Sequence, residues 1–378
     1  MSNLELAGPT SSGSLPVGGL THAWTSSPRL RERDGLPDNL LGTAARDLAA
    51  LLGGPTLIHL PGDRAPPLFV CVLLHGNEDV GWEAVRALLA DHLRRNGRLH
   101  LPRAMSLFLG NLAAAAQGLR RLPEQPDYNR IWPGSELPET PEHALMVQVV
   151  ETMARRGVFA SIDLHNNTGR NPHYCCVNVI DCPSLRLATL WSRTVVYFTR
   201  PKGVQSQAMS PLCPAVTLEC GKVGERHGVE HAREYLSACL HLSAIPDHPV
   251  PPHDIDLFHT VAQVKVPSEV SFGFDTNDGD IAFTPDLDQL NFRELPQGTS
   301  LGRVRTPGAR LQVNDEQGRD LAARYLEDED GELRLRLPVM PSMLTCDALV
   351  IRQDCLGYLM ERYDHQVPHR GGGAGAPG

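Results

Sequence analysis

At 378 residues the chain exceeds the ~250–300 residues at which single cores stop growing, so two domains are expected. With 41% hydrophobic and 21% charged residues its composition is that of a globular protein, which excludes disorder for most of its length. The formal charge of −9 argues against a nucleic-acid partner, whose phosphates need many lysine and arginine contacts.

The first 27 residues are rich in Gly, Ser, Pro and Thr and are expected to be flexible. Their start lacks the basic and then apolar order of a signal peptide, and no run reaches the ~18 apolar residues of a spanning helix. The reading is therefore a cytoplasmic protein without a membrane partner. Residues 67–74 form a compact apolar run of the kind shown by a strand buried on both faces, and Val80, Trp82, Val85, Leu88 and Leu89 follow with helical spacing. Residues 103–109 are a second strand, 142–156 a helix and 158–164 a third strand. Residues 189–198 mix both signals, 214–219 is a short strand and 229–242 a helix. This alternation predicts an α/β fold with a mixed, largely parallel sheet flanked by helices, over residues 28–246.

The proline-dense stretch 246–252 marks a change of texture, and residues 253–365 are expected to form a smaller β-rich C-terminal domain. Its clearest turns are Asp278 with Gly279 and residues 315–318, and its clearest strand is 333–339. Residues 366–378 are expected to be a flexible tail. Nine cysteines, an odd number without a Cys-x-x-Cys pair, read as reduced and mostly buried thiols.

Three apolar strands end alike, in a functional side chain just past the last apolar residue. Leu74 precedes His75-Gly76-Asn77-Glu78, Leu164 precedes His165, and Leu218 precedes Glu219. Ligands bind outside the carboxyl ends of strands in open α/β sheets, so these segments should deliver two histidines and two glutamates to one rim. Two imidazoles and a carboxylate suit a catalytic zinc with an open position for water, and a further carboxylate can serve as base. His-x-x-Glu alone is a weak signal, since an isolated instance is more often a solvated turn.

His75-Gly76-Asn77-Glu78, Asp127-Tyr128-Asn129-Arg130, Asp163-Leu164-His165 and Thr217-Leu218-Glu219-Cys220-Gly221 together resemble the succinylglutamate desuccinylase and aspartoacylase family, within the wider zinc carboxypeptidase fold. The resemblance covers about residues 65–245. It implies one Zn²⁺ per chain on His75, Glu78 and His165, with Glu219 as general base on the attacking water. It also implies substrate binding by Asn129 and Arg130, in keeping with a guanidinium fork that can hold a carboxylate.

An arginine upstream of the Asn-Arg pair would hold the oxyanion, and of Arg120 and Arg121 the expectation favours Arg121. Asn166 and Asn167 would line the pocket, Arg200 would stand in a basic loop that contacts substrate, and Asp163 could orient His165. Tyr358 is the candidate for a tyrosine contributed by the second domain, with a buried structural tyrosine as an equal alternative. His173 is a weaker ligand candidate. The implied activity is zinc-dependent cleavage of an amide in a small anionic substrate, of the N-acyl amino acid deacylase type. The rivals are a carboxypeptidase-type peptidase, a zinc hydrolase acting on an ester, and a non-catalytic binding protein. The residues 122–126 inserted before the Asn-Arg pair leave the particular substrate open.

Overall fold

The computed structural model describes residues 29–274 and 279–364; the expected flexible ends and Asp278 of the expected turn lie outside the described residues. In chain order the strands are β1 (Arg31–Asp34), β2 (Thr56–Leu60), β3 (Leu68–Val72), β4 (Met105–Leu109), β5 (Ala160–Asn167), β6 (Tyr174–Val177), β7 (Thr194–Tyr197), β8 (Ala215–Lys222) and β9 (Asp256–Lys265). There follow β10 (Phe272–Phe274), β11 (Ile281–Phe283), β12 (Ser300–Val304), β13 (Gln312–Asn314), β14 (Leu326–Glu329), β15 (Glu332–Leu335), β16 (Met340–Ser342) and β17 (Gly357–Arg362).

One sheet runs β1-β2-β4-β3-β5-β8-β6-β7-β9-β17-β16, with β13 also paired to β9. Its centre, β4-β3-β5-β8, is parallel, while β2 and β6 pair antiparallel on either side of it. The architecture is thus the mixed, largely parallel sheet expected. A separate five-stranded sheet, β10-β11-β12-β15-β14, belongs to the C-terminal part. The proline-dense stretch does not end the main sheet, because β9 joins β7 in parallel register directly after it.

The central strands read as unbroken apolar runs because both of their faces are covered. On β3, Leu68, Val70 and Val72 face one core under the helices Val80–Asn96 and Arg226–His241, while Phe69 and Cys71 face the other under Pro141–Arg156. The first helix stops at Gly97 with φ 66°, a left-handed position suited to glycine. Pro141 starts the helix beneath the second core, where a missing N–H costs nothing. Residues 189–198 gave a mixed signal because they straddle two elements: a helix ends at Thr189 and β7 begins at Thr194.

A third core fills between the five-stranded sheet and the edge of the large one and includes Ile281, Phe283, Leu333 and Leu335. Of the expected strand over 333–339 only residues 333–335 are found in β15; Val339 makes an isolated bridge to Leu295, just before β16 begins at Met340. Among the described residues no helix is long and apolar enough to cross a membrane.

Ile162 lies fully buried on β5, with Val70 and Val216 as its register partners on either side. Ile162→Ala should lower unfolding free energy by about 2–5 kcal/mol in denaturant titration. Leu349→Ala, at a side chain that is 56% exposed, should leave it nearly unchanged.

Candidate active site

β3 ends two residues earlier than its apolar run, because Leu73 takes a φ of 57°, a left-handed conformation unusual for leucine. Its carbonyl accepts a hydrogen bond from the Asn111 N–H at 2.6 Å, which fixes the bend. The chain then crosses the carboxyl edge of the sheet, where the Glu78 N–H closes a turn on the His75 carbonyl at 3.2 Å. Gly76 is required there by close approach: a Cβ would lie 2.2 Å from the Ala115 backbone nitrogen.

His165 and Glu219 arrive by register. They are direct partners on the parallel strands β5 and β8, and Asp163 opposite Thr217 lies two residues earlier on the same face. The pairing slips between His165 and Asn167, as a bulge does, and frees the strand end to turn. Both residues therefore stand inside their strands rather than just past them.

The Glu78 carboxylate lies between the two histidines. Its Oε1 is 2.8 Å from His75 Nδ1, and its Oε2 is 2.8 Å from His165 Nδ1 and accepts from the Asn166 N–H at 3.0 Å. The outer nitrogens face carboxylates of their own, His75 Nε2 at 2.9 Å from Asp127 Oδ1 and His165 Nε2 at 2.8 Å from Asp163 Oδ2. With each Nε2–H donated outward, both Nδ1 lone pairs point inward at one place. One ligand atom from each of His75, Glu78 and His165 lies within 4.8 Å of the others, and all three residues are buried, so the group can hold a metal ion.

Electrostatics favour a cation there. Burial alone would lower the His165 pKa, but the carboxylates of Asp163 and Glu78 outweigh it and raise it well above the usual value. Burial would likewise raise Glu78 and Asp127, yet the two histidines hold Glu78 below the normal range, and His75 with Arg120 does the same for Asp127. Glu219 behaves oppositely: burial, helped by the nearby Glu78, pushes its pKa up to about 7. Asn167 Nδ2 donates to Glu219 Oε2 at 2.9 Å and holds the carboxylate toward the cleft.

His75, Glu78, His165 and Glu219 all line one concave cleft, the form that small-molecule sites take. Asn129, Arg130, Asn166 and Arg200 also line it, as does Tyr358, whose hydroxyl accepts from Gln263 Nε2 at 3.2 Å. Asn129 Oδ1 accepts from the Gln205 N–H at 2.9 Å, and its Nδ2 lies 3.1 Å from His165 Nε2. Asn166 donates to the Gly221 carbonyl and accepts from Val80 N–H at the start of the first long helix. Arg200 is at the rim, paired through both terminal nitrogens with Glu136 and donating to the Glu316 carbonyl.

Arg121 is not brought to the cleft. Residues 122–125 close a tight turn on themselves, the Gln125 N–H on the Leu122 carbonyl at 3.0 Å, and Arg121 Nη1 donates to the Gln125 carbonyl. Arg120 takes the inward place, with Nη1 3.5 Å from Glu78 Oε1 and both Nε and Nη2 donating to Asp127 Oδ2. His173 lies elsewhere, stacked with Trp191, His227 and His231. Burial lowers its pKa to about 4. The described cysteines are all free and mostly buried.

Two acidic residues stand out that no assigned role had covered. Asp127 opens the Asp-Tyr-Asn-Arg motif and could have been singled out by its proximity to that motif's arginine. Asp354 reaches Arg120 and Arg130 from the far end of the chain, and no local pattern marks it.

Residues 65–244 match the profile of the succinylglutamate desuccinylase/aspartoacylase catalytic domain. A search of curated proteins returns no match. Among solved structures, the chain is similar to a succinylglutamate desuccinylase from Chromobacterium violaceum, with 20% identity, a TM-score of 0.52, and coverage of 80% of this chain and 86% of that one. It is similar to a succinylglutamate desuccinylase/aspartoacylase from Rhodobacter sphaeroides at 15% identity and TM-score 0.52, covering 81% and 88%. Murine aminoacylase 3 gives 17% identity and TM-score 0.51, covering 80% and 97%. At these identities the structural likeness concerns the fold.

Asp127 fixes the ring of His75 from behind, so Asp127→Asn should weaken divalent-metal affinity by about 10–100-fold. Competition with a chromogenic chelator reads this directly, and an unchanged affinity would contradict the orienting role.

Proposed function

We propose, on the premise that residues 65–244 are a succinylglutamate desuccinylase/aspartoacylase catalytic domain, that the protein is a zinc-dependent hydrolase cleaving the amide bond of a small N-acyl amino acid. The observation that carries the reading is the convergence of Glu219 with His75, Glu78 and His165 at one end of a buried cleft. Zinc, one ion per chain on those three residues, would lower the pKa of a water toward ~7 and polarise a carbonyl.

The protein's own groups do the rest. Glu219, held by Asn167, takes a proton from the attacking water and returns it to the leaving amine. Arg120, in place of Arg121, faces the ligands and stabilises the charge that develops on the carbonyl oxygen. Asn129 and Asn166 are locked into the scaffold by their own hydrogen bonds, so they shape the cleft and hold the ligand residues rigid. Arg130 lines the cleft, and Arg200 brings positive charge to its rim, in keeping with a substrate that carries an α-carboxylate.

Glu219→Gln should keep its metal and lose hydrolysis of N-acyl amino acids by about 10²–10⁴-fold, whereas His165→Ala should lose the metal. Equal turnover by Glu219→Gln and wild type would sink the assignment of the base.

A base must be deprotonated to act. Since burial raises Glu219 to about 7, kcat/KM should climb with pH along a limb at or below that value, lower as a bound cation stabilises the carboxylate. A kcat/KM that falls as pH rises toward about 7 would contradict the role of Glu219 as base.

A further inference from the structure

The arginines that would receive an anionic substrate already hold a carboxylate of the protein. Asp354 Oδ2 accepts from Arg130 Nη2 at 2.9 Å and from Arg120 Nη2 at 3.2 Å, within the cleft lining. The rest of each guanidinium is largely engaged, Arg130 Nη1 with the Asn129 carbonyl and Arg120 with Asp127.

Asp354 is not on a swinging segment. The helix Ala348–Gln353 before it is anchored by Arg352, which donates to the Pro267 and Val270 carbonyls and stacks over the Phe272 ring. Two residues after it, Leu356 is buried and its N–H donates to the Val264 carbonyl at 2.9 Å.

Charge balance points the same way. Around the ligand group stand two guanidinium ions, Arg120 and Arg130, and four carboxylates, Glu78, Asp127 and Asp354 beside the arginines and Asp163 behind His165, before Glu219 is counted. A divalent cation brings that set to neutrality and leaves no surplus positive charge. Arg200 stands at the rim in a solvent-exposed pair with Glu136, weak enough to yield to one α-carboxylate and to no more than one. A buried second carboxylate on the substrate would lose its hydration without a partner, a cost that excludes it. The lining also includes the largely apolar side chains of Tyr174, Cys176, Val196, Phe198, Val204 and Met343.

We propose that Asp354 is a specificity-determining residue: by occupying Arg120 and Arg130 it excludes substrates with a second carboxylate and selects N-acyl amino acids whose variable group is apolar. The proposal rests on the amidohydrolase reading given above for the same cleft.

Two isosteric pairs test it, each replacing a carboxylate by an isopropyl group: N-acetyl-L-aspartate against N-acetyl-L-leucine, and N-succinylglycine against N-(4-methylpentanoyl)glycine. Wild type should favour the isopropyl member of any pair it turns over by about tenfold or more in kcat/KM. Asp354→Asn should move that ratio toward the carboxylate member by a similar factor, chiefly through KM. A wild-type preference for the carboxylate member, or a ratio unmoved in Asp354→Asn, overturns the proposal while leaving the hydrolase reading intact. Calorimetric titration with succinate is independent of turnover: it should show saturable binding to Asp354→Asn and none to wild type. If neither pair is hydrolysed and succinate behaves so, the hydrolase reading falls and the role of Asp354 stands. Should Asp354→Asn fail to fold, the wild-type ratio decides, and saturable binding of succinate by wild type overturns the proposal.

Discussion

The carboxylate of Glu78, shared between His75 Nδ1 and His165 Nδ1, is the contact around which the site is organised. Two imidazoles from distant parts of the chain are aimed at one carboxylate, and each is backed by an aspartate on its other nitrogen. Such an arrangement is costly to bury without a cation, since it gathers several acids where water is scarce. The raised pKa of His165 and the depressed ones of Glu78 and Asp127 express that demand: burial opposes each shift, and neighbouring charges override it. Glu219, a few ångströms along the same edge by strand register, escapes it and stays near neutrality, the range in which a general base works best.

The sheet supplies the precision. Register between β5 and β8 sets His165 beside Glu219, and the left-handed turn at Leu73 swings His75 and Glu78 across to meet them. The large sheet also carries β9, β16 and β17, so the C-terminal part is built onto the same framework as the ligand residues. Through that attachment Tyr358 and Asp354 enter the cleft from residues more than two hundred positions after the arginines they approach. Rigid elements on both sides give a cleft whose charge pattern is fixed before any substrate arrives.

Much of this can be read in the sequence. The apolar runs before His75, His165 and Glu219 place the three segments on neighbouring strands, and the rule that ligands gather at carboxyl ends brings them together. What could not be read has definite causes. The choice between Arg120 and Arg121 depends on a turn at residues 122–125 that closes on itself, and counting along the chain cannot tell which of two adjacent arginines then points inward. The bend at Leu73 is invisible because leucine gives no signal for a positive φ. The proline-dense stretch hides the continuity of the sheet, since β9 pairs with β7 only in three dimensions. Asp354 has no motif at all, and its meaning comes from the two guanidinium groups it meets.

The proposed chemistry requires one cation, which His75, Glu78 and His165 would hold. Titration of metal-stripped protein with Co²⁺, followed by visible absorption, tests it most directly. The expected result is a saturable band at one equivalent per chain, of the intensity given by low-coordinate nitrogen and oxygen ligation, and its loss in Glu78→Ala. No saturable band, or a band that persists unchanged in Glu78→Ala, would contradict it.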